Sequence, residues 1–188
     1  MNYKLVDNRI EFTDEKLTEN STNMISVIST YKFTKYMEQM PDGISILRSN
    51  ETRYTKLDVK NKYLQGVIYM PSKKDIFNHT RFGYLIFNRN ILFIDSSDTV
   101  INIIEQLRHS SIDMPTIWKF YYHFLNMLID RDLLYLQDIE NSLSTFENNL
   151  LDGGIDEYNQ RDIIYIRKKL FNQYRFYTQL FEIEHKLN

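Results

Sequence analysis

The sequence lacks several residue types that common functions require. None of its 188 residues is cysteine, which excludes disulfide bonds, thiolate metal sites and cysteine nucleophiles. It has five glycines and three prolines, and no glycine-rich phosphate-binding pattern occurs. The formal net charge is −2, so the chain as a whole does not attract nucleic acid or anionic lipid.

Long apolar runs and catalytic motifs are also missing. No stretch approaches the ~18 apolar residues needed to cross a bilayer, and residues 1–20 are too polar and acidic for a signal peptide. These features predict a soluble chain. The histidines occur singly, without HExxH spacing, and Ser96-Ser97 lacks a GxSxG context. Zinc and serine-hydrolase chemistry are therefore not predicted, and we expect no enzymatic activity.

Aromatic residues make up 14% of the chain, enough bulk for one domain with a real core. Alternating and β-branched stretches predict strands in the first 95 residues. The predicted strands are Tyr3–Val6, Arg9–Phe12, Met24–Ile28, Ile44–Leu47, Thr55–Val59, Tyr63–Met70, Tyr84–Phe87 and Ile91–Asp95. The last two flank Asn88-Arg89-Asn90, which favours a tight hairpin because Asn tolerates positive φ. Both arms of this hairpin are apolar on both faces, which predicts a sheet covered on each side.

Short helices are predicted between and after the strands, at Thr30–Met40, before Pro41-Asp42-Gly43, and at Thr99–His109, capped by Ser96-Ser97-Asp98. A long helix is predicted from Trp118 to Leu151, with Pro115 in its first turn.

Asp152-Gly153-Gly154 ends that helix, and a second follows from Asp156 to Leu187. The predicted apolar seam of the first is Leu136, Ile139, Leu143, Phe146 and Leu150, and that of the second is Ile163, Ile166, Leu170, Tyr174, Tyr177, Leu180, Ile183 and Leu187. The fold class predicted is α/β (α+β), with a mixed β-sheet between helical layers followed by a long antiparallel helical hairpin. Residues 1–114 would form the sheet with small helices, and 115–188 the hairpin packed in the same domain.

The hairpin has an acidic tip. Acids outnumber bases between Asp130 and Asp162, and carboxylates attract divalent cations such as Mg²⁺. A solvated surface with weak ion pairs is the simpler interpretation. Composition alone does not decide between a cation-attracting surface and an ordinary solvated one.

Three stretches together resemble the cytoplasmic part of CorA-type magnesium and cobalt transporters. They are the hairpin YLIFNRNILFI at 84–94 and the helical segments IDRDLLYLQDIENSLSTFENNLL at 129–151 and IRKKLFNQYRFYTQLFEI at 166–183. KLDVKNKYLQGVIYM at 56–70 is similar to the family's acid, Asn and Tyr segment, with Asp58, Asn61 and Tyr63 in those places. The likeness runs from about Tyr54 onward. The family's Gly-Met-Asn motif and its two membrane helices are absent from this sequence.

The resemblance implies a regulatory domain that senses divalent cations. It implies a cytoplasmic domain at the face of the cell membrane, a pentamer in the intact channel, and Mg²⁺ (or Co²⁺) bound between neighbouring domains. The metal residues it implies are Asn126, Asp130 and Asp42. Asn126 stands where the family has an acid, so affinity should be lower. The acids Asp138, Glu140, Glu147 and Asp152 would attract cations or make gating contacts.

The sequence also suggests two other functions. A soluble intracellular scaffold could bind a partner helix along the seam from Leu136 to Leu150. A metal-dependent hydrolase could use Asp130 and Asp132, but residues two apart on a helix point about 200° apart and cannot share one ion.

Overall fold

The computed structural model describes residues 1–18, 20–37, 53–130, 132–152 and 157–187. The predicted turn Pro41-Asp42-Gly43, the predicted strand Ile44–Leu47 and the predicted helix stop Gly153-Gly154 lie outside these residues.

The described residues form seven strands and five helices, one helix more than predicted. The strands are β1 Asn2–Val6, β2 Arg9–Phe12, β3 Met24–Ile28, β4 Lys56–Val59, β5 Tyr63–Pro71, β6 His79–Phe87 and β7 Asn90–Ile94. The helices are α1 Thr30–Met37, α2 Thr99–Arg108, α3 Ile117–Leu128, α4 Asp132–Asp152 and α5 Glu157–Leu187. Strand β6 begins five residues before its predicted start, because His79–Gly83 pairs with the end of β5.

The strands form one mixed sheet in the order β2-β1-β3-β7-β6-β5-β4. Only β3 and β7 run parallel, while the other neighbouring strands are antiparallel. The turn between β6 and β7 places Asn88 at φ 45° and Arg89 at φ 60°, the paired positive values of a two-residue hairpin turn. The predicted tight hairpin is confirmed, and it sets the register of β6 against β7.

One face of the sheet carries the larger core. Alternate side chains of the central strands, such as Phe82 and Phe93, pack against α2 and α3. The ring of Phe124 lies 4.6 Å from Phe93 and 5.8 Å from Phe82, centroid to centroid. Phe176 and Ile183 bring α5 onto the same core. This aromatic cluster fixes α3 and the second half of α5 to the sheet.

The opposite face has a smaller core. Leu85 and Leu92 pack there with Leu17 and with Phe33 of α1. The expectation of a sheet covered on both sides is therefore confirmed. Gly66 in β5 is required by close approach, because a Cβ at this position would meet the Tyr84 hydroxyl and the Lys56 carbonyl oxygen far inside van der Waals contact.

The predicted single helix from Trp118 to Leu151 is wrong. Helix α3 ends at Leu128 and α4 begins at Asp132. Between them the amides of Ile129 and Asp130 donate to the carbonyls three residues earlier, those of Asn126 and Met127, at 3.1 and 3.4 Å. These tighter bonds end the α-helical ladder. No glycine or proline occurs at the break, so the apolar periodicity alone predicted one continuous helix.

Two predicted helix starts are also corrected. Asp98 sits at the start of α2 with φ 59° and makes no side-chain cap. The cap comes from Asp95, whose Oδ2 accepts from the Val100 amide at 2.8 Å. Pro115 precedes the first turn of α3, where Thr116 is the N-cap and its Oγ1 accepts from the Lys119 amide at 3.1 Å.

Helices α4 and α5 form an antiparallel pair, which we call the arm (Asp132–Leu187). The start of α4 meets the later part of α5, because Asp132 bonds to Gln173 and Tyr177. Ile139 and Phe146 on the predicted seam of α4 are buried. On α5 the prediction is partly wrong. Ile166 and Ile183 are buried, as is Phe176, which was not predicted, whereas four predicted seam residues are exposed: Ile163, Leu170, Tyr174 and Leu187. Gln173 is buried and donates a hydrogen bond to Asp132. The buried face of α5 therefore includes a polar residue that the apolar pattern does not indicate.

Candidate functional site

Two of the three residues predicted to hold a metal, Asn126 and Asp130, lie at the junction of α3 with the arm. Asn126 is exposed on the last turn of α3, and Asp130 is exposed in the break that follows. The backbone oxygen of Asp130 accepts from Lys73 Nζ at 3.2 Å. Asp42, the third predicted ligand, lies outside the described residues. Asn126 therefore belongs to α3 and Asp130 to the break after it, and both residues are exposed.

Asp132, the residue after the break, is buried in a polar network. Its Oδ2 accepts from Tyr177 Oη at 2.6 Å and from Gln173 Nε2 at 3.1 Å, and its Oδ1 pairs with Lys73 Nζ. A buried carboxylate is costly unless it is paired in this way. Burial, and then the bond to Asp132, raise the pKa of Tyr177. The network joins the β5–β6 loop, the break and α5 at one point.

This network was missed from the sequence, although a signal was present. Asp is a poor residue for a helix interior and a good one for a helix start, so Asp130-Arg131-Asp132 could have marked a new N-terminus. The roles of Lys73, Gln173 and Tyr177 depend on contacts 41 to 59 residues apart in sequence, which no local pattern reveals.

The predicted acidic surface lies on α4. Asp138, Glu140 and Glu147 are exposed; Asp152 is the last residue of α4, and its side chain is outside the described part. Within the described side chains, none of these three carboxylates forms an ion pair. Their charges are therefore open to solvent, ions or another molecule.

Two grooves flank the second half of α5. One, of about 620 Å³, lies between α3 and α5 and is lined by Trp118, Tyr122, Asn126, Leu180 and Phe181 among others. The other, of about 330 Å³, lies between β4 and α5, with Tyr54 and Lys56 on one wall and Phe171, Tyr174 and Arg175 on the other. Asn126, a predicted ligand, thus opens onto a largely apolar groove.

Among the described residues, no group of three or more His, Asp or Glu side chains is arranged to hold a metal ion. Nor does any helix in the described ranges combine the length and apolar character needed to cross a bilayer. What the described surface offers an ion is scattered oxygen donors: the amide of Asn126 and the carboxylates of Asp130 and α4. Such donors suit hard cations that keep part of their water shell.

Comparison with known proteins identifies the fold. No protein-family model matches this sequence, and no curated protein matches it. Solved structures do match. The full-length CmaX protein has a TM-score of 0.69 at 15% identity over 99% of this chain. The soluble domain of CorA from Methanocaldococcus jannaschii has a TM-score of 0.66 at 17% identity over 95%. The complete CorA magnesium transporter from the same organism has a TM-score of 0.66 at 19% identity over 91%.

The class is thus an α+β domain, with seven strands among its described residues and a helical arm, and its fold is that of the CorA soluble domain. The resemblance predicted from sequence is confirmed at the level of the fold. This chain spans 62% of the length of CmaX, 56% of complete CorA and 75% of the CorA soluble domain. A shared fold at such low identity does not carry function with it.

Proposed function

We propose that this chain is the cytoplasmic, divalent-cation-sensing domain of a CorA-like Mg²⁺/Co²⁺ transport channel. The observation that carries the proposal is the likeness to the CorA soluble domain over 95% of the chain, together with the exposed acids on the arm. The domain performs no catalysis of its own. It lies at the cytoplasmic face of the membrane and assembles, as a pentamer, within the intact channel.

The sensing mechanism is electrostatic. Acids on adjacent copies repel each other, and a divalent ion between them removes the repulsion and joins the copies. Asp130 would supply the charge and Asn126 a neutral oxygen, with Asp42 as the third ligand. Losing the ion would restore the repulsion and loosen the interface. The ion shifts this equilibrium only by its differential affinity for the tight state, and weak sites sum around a ring.

The acids of α4 have a supporting role in this proposal. Asp138, Glu140, Glu147 and Asp152 raise the local concentration of cations near the binding residues, through a field that ordinary salt screens over about 10 Å. Their exposure supports attraction through water better than direct ligation.

A Mg²⁺ titration tests the proposal. Melting temperature and sedimentation are followed from zero to ~10 mM Mg²⁺, at constant ionic strength, the range in which a weak regulatory oxygen site would fill. We expect a higher melting temperature and a larger species with Mg²⁺ but not with K⁺. Asp130→Asn should raise the Mg²⁺ midpoint by about three- to tenfold.

Asp14→Asn is the matched control. Asp14 is an exposed acid in the loop after β2, far in sequence from the break, so the same loss of one charge there should leave the midpoint unchanged. Equal shifts in both variants would reduce the Mg²⁺ effect to net charge and would count against a defined site.

The scaffold function is less well supported. Its proposed contact, the seam from Leu136 to Leu150, contains Ile139 and Phe146, which are buried in this chain. A partner helix would first have to displace α5. Capture of a helical partner without loss of the α4–α5 contact would revive this alternative.

A further inference from the structure

A small polar pocket lies between α5 and the β5–β6 loop. Its volume is about 130 Å³, roughly that of four water molecules, which fits one oxyanion better than a ring with a sugar. Its polar lining consists of one Arg, one His and three side-chain amides: Arg175, His79, Asn78, Asn172 and Gln179. No Asp or Glu occurs among the described residues that line it. The pocket therefore offers hydrogen-bond donors and one permanent positive charge.

Arg175 and Gln179 are the donors whose bonding is best defined. Arg175 is exposed and has no ion-pair partner among the described side chains. Gln179 lies one turn further along α5, and its Oε1 accepts from the Thr55 amide at 2.8 Å. Because a backbone N–H must face an oxygen, this bond orients the Gln179 amide and leaves its Nε2 as a donor. An oxyanion beside both residues would accept from each, and its bonds to the guanidinium would be charge-assisted.

Two carboxylates near this part of α5 do not neutralise Arg175. Asp75, in the β5–β6 loop, accepts from the Phe77 amide at 3.0 Å and from Asn78 Nδ2 at 2.7 Å. Glu182 is seven residues after Arg175, hence about 10.5 Å further along the helix axis. The charge of Arg175 is therefore available to an anion in the pocket.

The β4–α5 groove adjoins the pocket, because Arg175 and Gln179 line both. Its volume of about 330 Å³ lies within the range of small-molecule sites. Three exposed rings line the groove: Tyr54 at 48%, Phe171 at 62% and Tyr174 at 70% exposure. Phe171 and Tyr174 precede Arg175 by four residues and one, so they lie within about 6 Å of it along the axis. Exposed rings of this kind stack on planar bases.

We propose that the pocket and the groove together bind a nucleoside monophosphate. The phosphate occupies the pocket and accepts from Arg175 and Gln179, while the base lies in the groove against Phe171 and Tyr174. A single guanidinium matches one phosphate better than a chain of them. The site shares no residue with the predicted metal ligands and needs no divalent cation, so it goes beyond the proposed function.

Calorimetric titration in EDTA tests the site with three probes: AMP, adenosine and inorganic phosphate. The wild-type chain should bind AMP saturably, with a Kd below about 1 mM. Adenosine and phosphate should each bind at least about tenfold more weakly, because each fills only one of the two cavities. Absence of saturable AMP binding up to ~10 mM would overturn the proposal. Phosphate or adenosine bound as tightly as AMP would overturn the assignment to a nucleotide.

Variants of the pocket test the phosphate contacts. Arg175→Gln should weaken AMP binding by at least about tenfold, since it removes a charge-assisted bond. Arg167→Gln is the matched control, because Arg167 is exposed on the same helix and lines neither cavity; it should bind AMP as the wild type does. Gln179→Glu keeps an acceptor for Thr55 but places a carboxylate beside the phosphate, so it should weaken AMP binding and leave adenosine binding unchanged.

Variants of the groove test the ring contacts. Phe171→Ala with Tyr174→Ala should weaken AMP binding by at least about fivefold and leave phosphate binding unchanged. Phe181→Ala is the control, because Phe181 is 63% exposed on the same helix but lines the α3–α5 groove instead. Circular dichroism verifies that each variant is folded. Site variants that bind AMP as their controls do would overturn the proposal. Since EDTA is present throughout, none of these outcomes bears on the Mg²⁺ titration.

Discussion

The sheet face under α3 and the α4–α5 arm use similar residues in opposite ways. Under α3, rings such as Phe124 and Phe93 are fully buried against each other. On the arm, Phe171 and Tyr174 are mostly exposed, and the shared seam is narrow. The first region is held by packing, whereas the second is joined to the rest of the chain by polar contacts of Asp132. The sheet face therefore provides the packed aromatic core, whereas the arm exposes large aromatic side chains to solvent.

The largest expected effect comes from the same substitution made in both regions. Phe124→Ala should lower the free energy of unfolding by about 3–5 kcal/mol, because it removes a buried ring and leaves a cavity. Phe171→Ala should change it by less than about 0.5 kcal/mol. Urea unfolding measures both. Similar losses at the two positions would erase the contrast.

Next in size is the anchor of the arm. Asp132→Asn should cost about 2–3 kcal/mol, because Lys73 loses its buried counter-charge and an amide nitrogen faces other donors. Asp138→Asn, on the same helix but exposed, should cost almost nothing. Hydrogen exchange gives the location: amides of α4 should exchange faster in Asp132→Asn while those of β6 and β7 stay protected. Uniform acceleration would mean that the anchor serves the whole domain.

The cap of α2 is a smaller test within the sheet region. Asp95 Oδ1 accepts from the Ser97 amide at 2.7 Å, and its Oδ2 accepts from the Val100 amide. Asp95→Ala should lower stability by about 1–2 kcal/mol. Asp98→Asn should leave the melting temperature unchanged, because Asp98 makes no cap bond and Asn tolerates its left-handed conformation. A larger loss of stability in Asp98→Asn than in Asp95→Ala would instead assign the helix cap to Asp98.

Tyr177→Phe is the mildest change and has a pH signature. In the folded wild type the pKa of Tyr177 is raised, first by burial and then by the bond to Asp132. In the unfolded chain the Tyr177 side chain ionises near its usual pKa of about 10. Its contribution is therefore complete below about pH 10 and is lost as pH rises toward the folded pKa. The variant should lose about 1 kcal/mol at pH 7 and show a shallower fall in stability above pH 10. If stability falls equally steeply above pH 10 in the wild type and in Tyr177→Phe, ionisation of Tyr177 does not contribute to that fall.

The sequence predicted the strands well because their signals are local. Asn88 and Arg89 make the β6–β7 turn, and the apolar arms on either side give a strand buried on both faces. Because the strands were predicted correctly, most of the order of elements could be predicted too. That order was part of the resemblance to the CorA fold.

The α3–α4 break and the buried face of α5 were beyond local patterns. Asp132 begins α4 after the break, and its carboxylate accepts from Gln173 and Tyr177 of α5. On α5, Phe176 is buried and Tyr174 is exposed. For the candidate site, residue type could indicate Asn126 and Asp130 as oxygen donors. The proposal places these donors beside those of another copy, and no local pattern in a single sequence reveals such a grouping.

The central claim is that divalent cations control how copies of this domain associate. Sedimentation velocity with Mg²⁺ raised to ~10 mM, against K⁺ at the same ionic strength, tests it most directly. We predict a Mg²⁺-specific shift to a larger, more heat-stable species that Asp130→Asn moves to higher Mg²⁺. A sedimentation profile and melting temperature that respond equally to Mg²⁺ and K⁺ would contradict it.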